Sequence, residues 1–343
     1  MTNLLRSVLD GINSIVMNHG WSIVIFTVLI RLVLMPLDIK SRKSMRKMSL
    51  INPEMQKLQK KYANDKQKLN MKMAELYKRE KISPMSGCIP MLIQWPILIW
   101  MFGAMRAIAN ENMVAQVFRF LAEDAAPILA NESWLWVKNV WTPDSIFMSC
   151  VPDLRSLNMV GTEVWQSVYN TFSAEQLSVI AGNVQGVIDF STSEATSASI
   201  SAIIASLQNM PAYQQMASGI PGWSNIRVLM FNISLYQNYN GWTLLPIMAG
   251  LSQVIQSKLM PQQNQQPAQN NNNNQNSQST AKFMQVFFPI LSVYFCLTSN
   301  AGFAIYWVTS NIVMGVSSAM INKILEKQDK KSAASVTGEG SVK

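Results

Sequence analysis

Histidine, cysteine and charged residues are all scarce in this sequence. Among 343 residues there is one histidine, His19, and there are three cysteines without a CxxC spacing. An odd number of cysteines, two of them inside apolar runs, predicts no disulfide framework, and neither residue type is frequent enough for a metal site or a catalytic dyad. The phosphate-binding, dinucleotide-binding and zinc-protease motifs are missing as well. We therefore expect no enzymatic activity, no cofactor and no metal.

Charged residues make up 14% of the sequence and hydrophobic residues 49%, which is too apolar for an average soluble domain. The most apolar stretch runs from Trp21 to Leu37, where 17 residues contain a single charge, Arg31. This is about the minimum length at which a helix crosses ~30 Å of hydrocarbon. Thr27 lies one turn earlier on the same helical face as Arg31. The stretch predicts a membrane span with polar residues on one face.

Arg31 has two interpretations. Its side chain could extend along the helix to the membrane interface, since a basic run begins nine residues later at Lys40. Alternatively, it faces a polar groove within the membrane, because an arginine exposed to lipid at that depth costs at least ~2.5–3.5 kcal/mol. The sequence alone leaves both interpretations open.

Basic residues are concentrated directly after this span. Residues 40–82 contain 14 Lys and Arg against 4 Asp and Glu, with apolar stripes that predict a hairpin of two helices. Asn52 and Pro53 predict the cap and the first residue of a new helix. By the positive-inside rule this hairpin lies in the cytoplasm, where it suits anionic lipids better than nucleic acid. Its methionines predict either a soft receiving surface for apolar segments or packing between the two helices.

The rest of the chain alternates apolar runs with polar loops. Residues 108–240 contain 4 Lys and Arg against 10 Asp and Glu, which suits the outside of the cell, and the Gln/Asn-rich stretch after Pro261 predicts disorder. Gln94, in the middle of the second apolar run, either joins helices or lines the same groove as Arg31. The predicted order is an amphipathic surface helix at 1–18, spans at 19–39, 86–107, 241–260, 283–299 and 301–321, a cytoplasmic basic hairpin at 40–84, an extracellular loop at 108–240 with a helical insert at about 146–235, a disordered cytoplasmic linker at 261–281 and a cytoplasmic tail at 322–343.

Three stretches carry a family resemblance: TVLIRLVLMPL at 27–37, the hairpin and second-span text from KMSLINPEMQKLQKK to IPMLIQWPI at 47–97, and FPILSVYF followed by AGFAIYWVTSN at 288–311. With all three in this order, the chain resembles the YidC/Oxa/Alb membrane-protein insertases in their bacterial five-span form, over residues 1–145 and 236–325. The resemblance implies an all-α polytopic membrane protein, with five transmembrane helices around a hydrophilic groove open to the cytoplasm and a cytoplasmic helical hairpin. It also implies the bacterial cell membrane as the location, with the N-terminus outside and the C-terminus in the cytoplasm.

Carried over by motif, the resemblance implies that Arg31, Thr27 and Gln94 line the substrate groove and that substrate segments slide past Tyr306 and Trp307. The implied function is that of an insertase and chaperone, which draws hydrophilic segments into the groove and releases apolar spans to lipid. Its implied partners are nascent membrane proteins, with the Sec translocon, the ribosome and anionic lipids as further candidates, and it would act as a monomer. The alternatives are a scaffold that acts only beside the Sec channel and a small-solute transporter, although the chain lacks the internal repeat typical of transporters.

Overall fold

The computed structural model describes residues 2–81, 89–122, 132–224, 226–228, 231–259 and 275–338, with side chains except at 2–3, 89–94, 227–228, 231–233, 275–284 and 329–338. Within these residues the chain is mainly helical, which confirms the predicted all-α class. The helices are α1 (Thr2–Val16), α2 (His19–Lys61), α3 (Lys66–Arg79), α4 (Ile89–Leu121), α5 (Leu154–Leu157), α6 (Thr162–Tyr169), α7 (Ala174–Asn183), α8 (Ser193–Asn209), α9 (Pro211–Met216), α10 (Leu244–Leu259), α11 (Gln275–Thr298) and α12 (Ala301–Gly338). Two short strands, β1 (Ile226–Val228) and β2 (Phe231–Ile233), form an antiparallel hairpin that the sequence patterns did not predict.

Helix α2 continues through Pro53, so the prediction that Asn52 and Pro53 begin a new helix is wrong. A proline inside a helix removes one backbone hydrogen bond. Met48, Ile51 and Met55 bury their side chains together on either side of this position, and that burial offsets the loss.

Helix α11 begins at Gln275, so the end of the segment predicted as a disordered linker is helical instead. Residues 275–282 contain neither proline nor glycine, and the apolar helix that follows can therefore extend backwards into them. Residues 261–274 of the predicted linker lie outside the described residues.

The chain forms two compact units. Unit 1 comprises Met1–Phe26, Ile99–Ala249 and Ser292–Val308, and unit 2 comprises Thr27–Leu98, Gly250–Leu291 and Thr309–Lys343. The long helices α2, α4, α10, α11 and α12 each contribute residues to both units.

The end of α4 forms the core of unit 1. Phe118 is fully buried and packs edge-on against Trp165 of α6, with ring centroids 6.0 Å apart. Phe120 packs edge-on against Tyr213 of α9 at 5.8 Å, and the Tyr213 hydroxyl donates a hydrogen bond to the carbonyl oxygen of Pro152 at 2.9 Å. Burial raises the pKa of Tyr213 above its ordinary value, so this hydroxyl remains a donor. These aromatic contacts fasten helices α6 and α9 of the insert to α4.

A buried asparagine organises the loop before α10 in unit 1. Asn240 is fully buried, and its Nδ2 donates hydrogen bonds to the carbonyl oxygens of Asn139, Thr142 and Pro143 at 2.8, 3.0 and 3.0 Å. Its Oδ1 accepts a hydrogen bond from the backbone N–H of Asn139 at 2.8 Å. One side chain thus makes four hydrogen bonds to the backbone of residues 139–143, which lie outside the helices and strands.

The same segment holds the first turns of two long helices. The Asp144 carboxylate accepts hydrogen bonds from the backbone N–H groups of Thr243 and Leu245 at 3.1 and 2.7 Å, which caps the beginning of α10. The carbonyl oxygens of Thr142 and Val140 accept from the first two N–H groups of α12 at 2.9 and 2.8 Å. Residues 139–144 therefore fix where α10 and α12 begin.

Within unit 1, an ion pair joins helix α1 to α4. Arg6 donates a hydrogen bond to Glu111 of α4 at 2.7 Å as part of a two-pronged ion pair. Leu9 is buried, whereas Leu4 and Ile15 are 60% and 82% exposed. Much of the apolar surface of α1 is thus left uncovered.

The basic hairpin of α2 and α3 has its own small core in unit 2. Met48, Ile51, Met55 and Leu76 are buried there, and Tyr77 lies against Met55 with its hydroxyl 4.0 Å from the sulfur. Met71 is 55% exposed. Met48 and Met55 therefore pack the hairpin together, as one of the two sequence interpretations proposed.

Among the described residues, two helices are long and apolar enough to cross a membrane: α2 and the Ala301–Gln328 part of α12. The apolar part of α11, Gln285–Thr298, is shorter. Only 28% of the apolar window of α2 is buried within the protein, and Leu29 and Val33 are 48% and 79% exposed. Such exposure is typical of a helix that contacts lipid, and the predicted number of five spans stays a prediction.

Candidate functional site

Unit 2 contains a line of polar residues along α2. Thr27, Arg31, Asp38 and Arg42 lie within about 60° of one another around the helix axis, because their spacings are close to whole turns. Thr27 is fully buried, and Arg31 and Arg42 are each 6% exposed. The polar face of this helix is therefore its protected face, the reverse of a helix on the surface of a water-soluble protein.

Arg31 lies against α12. Its Nε donates a hydrogen bond to Ser310 Oγ at 2.8 Å, and its Nη2 donates to the same oxygen. The guanidinium group is thus enclosed within unit 2, as the polar-groove interpretation requires. A guanidinium group enclosed in this way keeps its charge while its surroundings exclude bulk water, which strengthens its attraction for anions.

Helices α10 and α12 add further polar groups to unit 2. Asn311 Nδ2 donates hydrogen bonds to Ser252 Oγ at 3.1 Å and to Gln253 Oε1 at 3.3 Å. One turn later, a Cβ atom placed on Gly315 would lie 3.7 Å from Gln256 Oε1. Gly315 therefore lets the amide of Gln256 pack directly against the backbone of α12.

Several buried polar atoms of unit 2 have no hydrogen-bond partner within the part of the chain that the structure describes. They are both amide atoms of Gln256, Nη1 of Arg42 and Oγ of Ser41. A buried polar atom without a partner costs about 1–3 kcal/mol. Buried polar atoms of this kind suit an interior that receives water or a polar segment of another molecule.

The structure places the predicted site residues in different surroundings. Thr27 and Arg31 share one face of α2 in unit 2, one turn apart. Tyr306 and Trp307 belong to unit 1, where their rings lie 6.4 and 5.6 Å from that of Phe303, and Tyr306 is only 2% exposed. Gln94 lies on α4, and its side chain is outside the described residues.

Sequence reasoning missed the partners of the predicted residues. Ser310 lies 279 residues from Arg31, and a single serine in an apolar helix carries little signal of its own. The spacing of 11 residues between Arg31 and Arg42, close to three whole turns, could have indicated a second arginine on the same face. Asp38 lies between the two arginines on that face.

Comparison with known proteins decides the family. The sequence model of the family described as 60Kd inner membrane protein matches residues 11–188 and 159–329, which together cover most of the chain. This chain belongs to the YidC/Oxa/Alb family. It is therefore a membrane protein, and the resemblance seen in the three sequence stretches is confirmed.

Three relatives within the YidC/Oxa/Alb family are each named membrane protein insertase YidC. The Fusobacterium nucleatum protein is 45% identical over 107 residues, which are 31% of this chain and 52% of that protein. The Clostridium perfringens protein is 38% identical over 157 residues, 43% of this chain and 58% of that protein. The Leptospira interrogans protein is 34% identical over 168 residues, 46% of this chain and 24% of that protein. The chain thus spans about half the length of the first two relatives and a quarter of the third.

Proposed function

We propose that this chain is a membrane-protein insertase that draws a hydrophilic segment of its substrate to Arg31 and releases the adjoining apolar span to lipid. The observation that carries the proposal is the buried Arg31–Ser310 pair. In this pair, a positive charge lies on the polar face of α2, a helix that is otherwise apolar enough to cross a membrane. The names of the three relatives support the same activity.

The physical role of such an interior is to lower the barrier to moving a short polar segment partway across the bilayer. Because the polar face of α2 offers hydrogen bonds, the segment does not lose all its hydration at once. Arg31 attracts acidic residues of that segment, and the attraction is stronger than in bulk water. The apolar span that follows then moves into lipid, and its transfer supplies the driving force. No covalent step and no nucleotide is required.

The proposal includes the five-span topology. Helices α2, α4, α10, α11 and α12 would be the spans, around a groove open to the cytoplasm. The 14 Lys and Arg against 4 Asp and Glu of residues 40–82 support a cytoplasmic hairpin, and the acidic excess of residues 108–240 supports an external loop. The N-terminus would then lie outside and the C-terminus in the cytoplasm of a bacterial cell.

The assignment of residue roles is part of the same proposal. Thr27, Arg31 and Gln94 would form the polar lining, and Tyr306 and Trp307 would guide the apolar span. Substrates would be nascent membrane proteins, with anionic lipids at the hairpin and the Sec translocon and the ribosome as further partners of a monomeric chain. The basic surface of the hairpin supports the lipid contact, at about 1 kcal/mol for each basic residue near the membrane.

Purified protein in liposomes tests this function. A single-span substrate with a short acidic N-terminal tail would be added from outside, and the fraction of tails protected from external protease would be measured. We expect protected tails in liposomes that contain this chain and only background protection in empty liposomes. Equal protection in both would show that the chain does not insert this class of substrate by itself and would favour a scaffold that acts beside the Sec channel.

A further inference from the structure

Arg42 is a second enclosed arginine on the polar face of α2. It follows Arg31 by 11 residues, or about 16 Å along the helix axis toward the basic hairpin. Like Arg31 it is 6% exposed, and like Arg31 it meets a serine of α12, since its Nη2 donates a hydrogen bond to Ser318 Oγ. Ser318 also donates to the carbonyl oxygen of Met314. The Arg31–Ser310 arrangement is therefore repeated about three turns further along α2.

The second arginine is incompletely satisfied. Its Nη1 is buried and has no hydrogen-bond partner within the described residues. On the same helix, the Oγ of Ser41 is also buried without a partner within the described residues. The amide of Gln256 is unpaired in the same way, and it packs beside Gly315, three residues before Ser318 on α12. A guanidinium group that served only to join two helices would gain by having its remaining donors paired. The unpaired Nη1 points instead to a ligand that accepts hydrogen bonds.

Asp38 is the acidic residue between the two arginines. Its carboxylate interacts electrostatically with both Arg31 and Arg42, and no ion pair within 4 Å joins it to Arg42 in the part of the chain that the structure describes. Two positive charges and one negative charge leave the polar face of α2 with a net charge of +1. Asp38 thus balances the arginines without occupying the free donor of Arg42.

We propose that Arg42 is a second docking point for acidic side chains of the substrate, and that Asp38 is the resident carboxylate with which those side chains compete. The proposal rests on the insertase function and adds to it a substrate preference and an order of contact. An acidic tail arriving from the hairpin side meets Arg42 first and Arg31 about three turns later. Asp38 weakens the attraction for the tail and so permits its release.

The proposal distinguishes docking from a structural clip between α2 and α12. A clip depends on the hydrogen bond between Arg42 and Ser318, so Ser318→Ala should reproduce the effect of Arg42→Gln for every substrate. Docking depends on the charge, so Arg42→Lys should retain it and only acidic tails should respond. Comparing these three variants separates the two roles.

Binding to the full-length chain in detergent micelles is the direct test. Two fluorescent peptides would be compared by anisotropy: a substrate tail with Asp and Glu, and the same tail with Asn and Gln. In Arg42→Gln we expect the preference for the acidic peptide to fall by about tenfold, since a hydrogen bond to a charged group contributes about that factor. Arg42→Lys and Ser318→Ala should keep most of the preference. An equal loss for both peptides in Arg42→Gln and Ser318→Ala would overturn the proposal in favour of a clip.

Asp38→Asn provides a second variant in case Arg42→Gln does not fold. Removing the resident carboxylate should strengthen binding of the acidic peptide by roughly threefold or more and leave the neutral peptide unchanged. Unchanged binding of the acidic peptide in Asp38→Asn would contradict the role given to Asp38. If binding depends on Arg42 but wild-type liposomes insert no substrate, the insertase function fails while the docking point stands. If insertion depends on Arg31 but peptide binding does not depend on Arg42, the insertase function stands and the docking role of Arg42 fails.

Discussion

Arg31→Ala is expected to lower insertion of an acidic-tailed substrate by about tenfold or more, because it removes the enclosed charge that attracts the tail. Arg31→Lys should retain most of the activity, since it keeps the charge, although it loses the planar group that bonds Ser310 through two nitrogens. Protease protection of the tail in liposomes that contain each variant measures the effect.

The matched control for Arg31→Ala is Arg106→Ala, which removes an exposed arginine from α4. Arg106→Ala should insert the substrate as well as the wild type does. Thermal unfolding of each variant in detergent shows whether the fold is intact. A folded Arg31→Ala protein that inserts acidic tails at the wild-type level would contradict the proposed role of the charge.

Asn240→Ala is expected to destabilise unit 1 by about 2–4 kcal/mol, because four buried hydrogen bonds to the backbone are lost together. Two of the residues that it contacts, Asn139 and Thr142, lie in the segment that holds the first turns of α10 and α12. The unfolding midpoint in detergent, followed by tryptophan fluorescence to which the buried Trp141 and Trp165 contribute, should fall accordingly.

The control for Asn240→Ala is Asn238→Ala, two residues earlier. Among the described residues, the Asn238 side chain makes one long hydrogen bond, to the carbonyl oxygen of Gln215 at 3.3 Å. Its removal should therefore change the stability by less than about 0.5–1 kcal/mol. Equal effects of the two substitutions would show that the Asn240 network does not carry the stability assigned to it.

The sequence predicted the parts of the structure that depend on local pattern. Arg31 stood out because it is the single charge in a mostly apolar stretch of 17 residues, and its position fixed the face shared with Thr27. The helical spacing of apolar residues predicted the hairpin of two helices, and the family resemblance implied the all-α class. The inferences from spacing use neighbours within a few turns, where the geometry of a helix is known in advance.

The sequence could not predict features that depend on distant partners. Nothing in the sequence around Ser310 shows that it meets an arginine 279 residues away. Likewise, nothing around Asn240 shows that it bonds a loop 97–101 residues away. The prediction that a helix begins at Pro53 was wrong for the same reason. The local rule for helix starts takes no account of the burial of Met48 and Met55, which stabilises α2 on both sides of the proline. Local preferences were correct where tertiary packing agreed with them and wrong where it opposed them.

The central claim is that the hydrophilic tail of a substrate comes to the Arg31–Ser310 pair during insertion. Disulfide cross-linking tests it directly, in a chain whose three cysteines, Cys88, Cys150 and Cys296, are replaced by alanine. New cysteines would be introduced one at a time at the buried Ser310 and at Ile312, which is 50% exposed two residues later on the same helix. The substrate would carry one cysteine in its acidic tail.

We predict that the tail cross-links to Ser310→Cys during insertion and not to Ile312→Cys. Tail cross-links at Ile312→Cys alone, or at neither position while the tail still becomes protected, would show that the hydrophilic segment crosses the membrane without visiting Arg31, which would contradict the account.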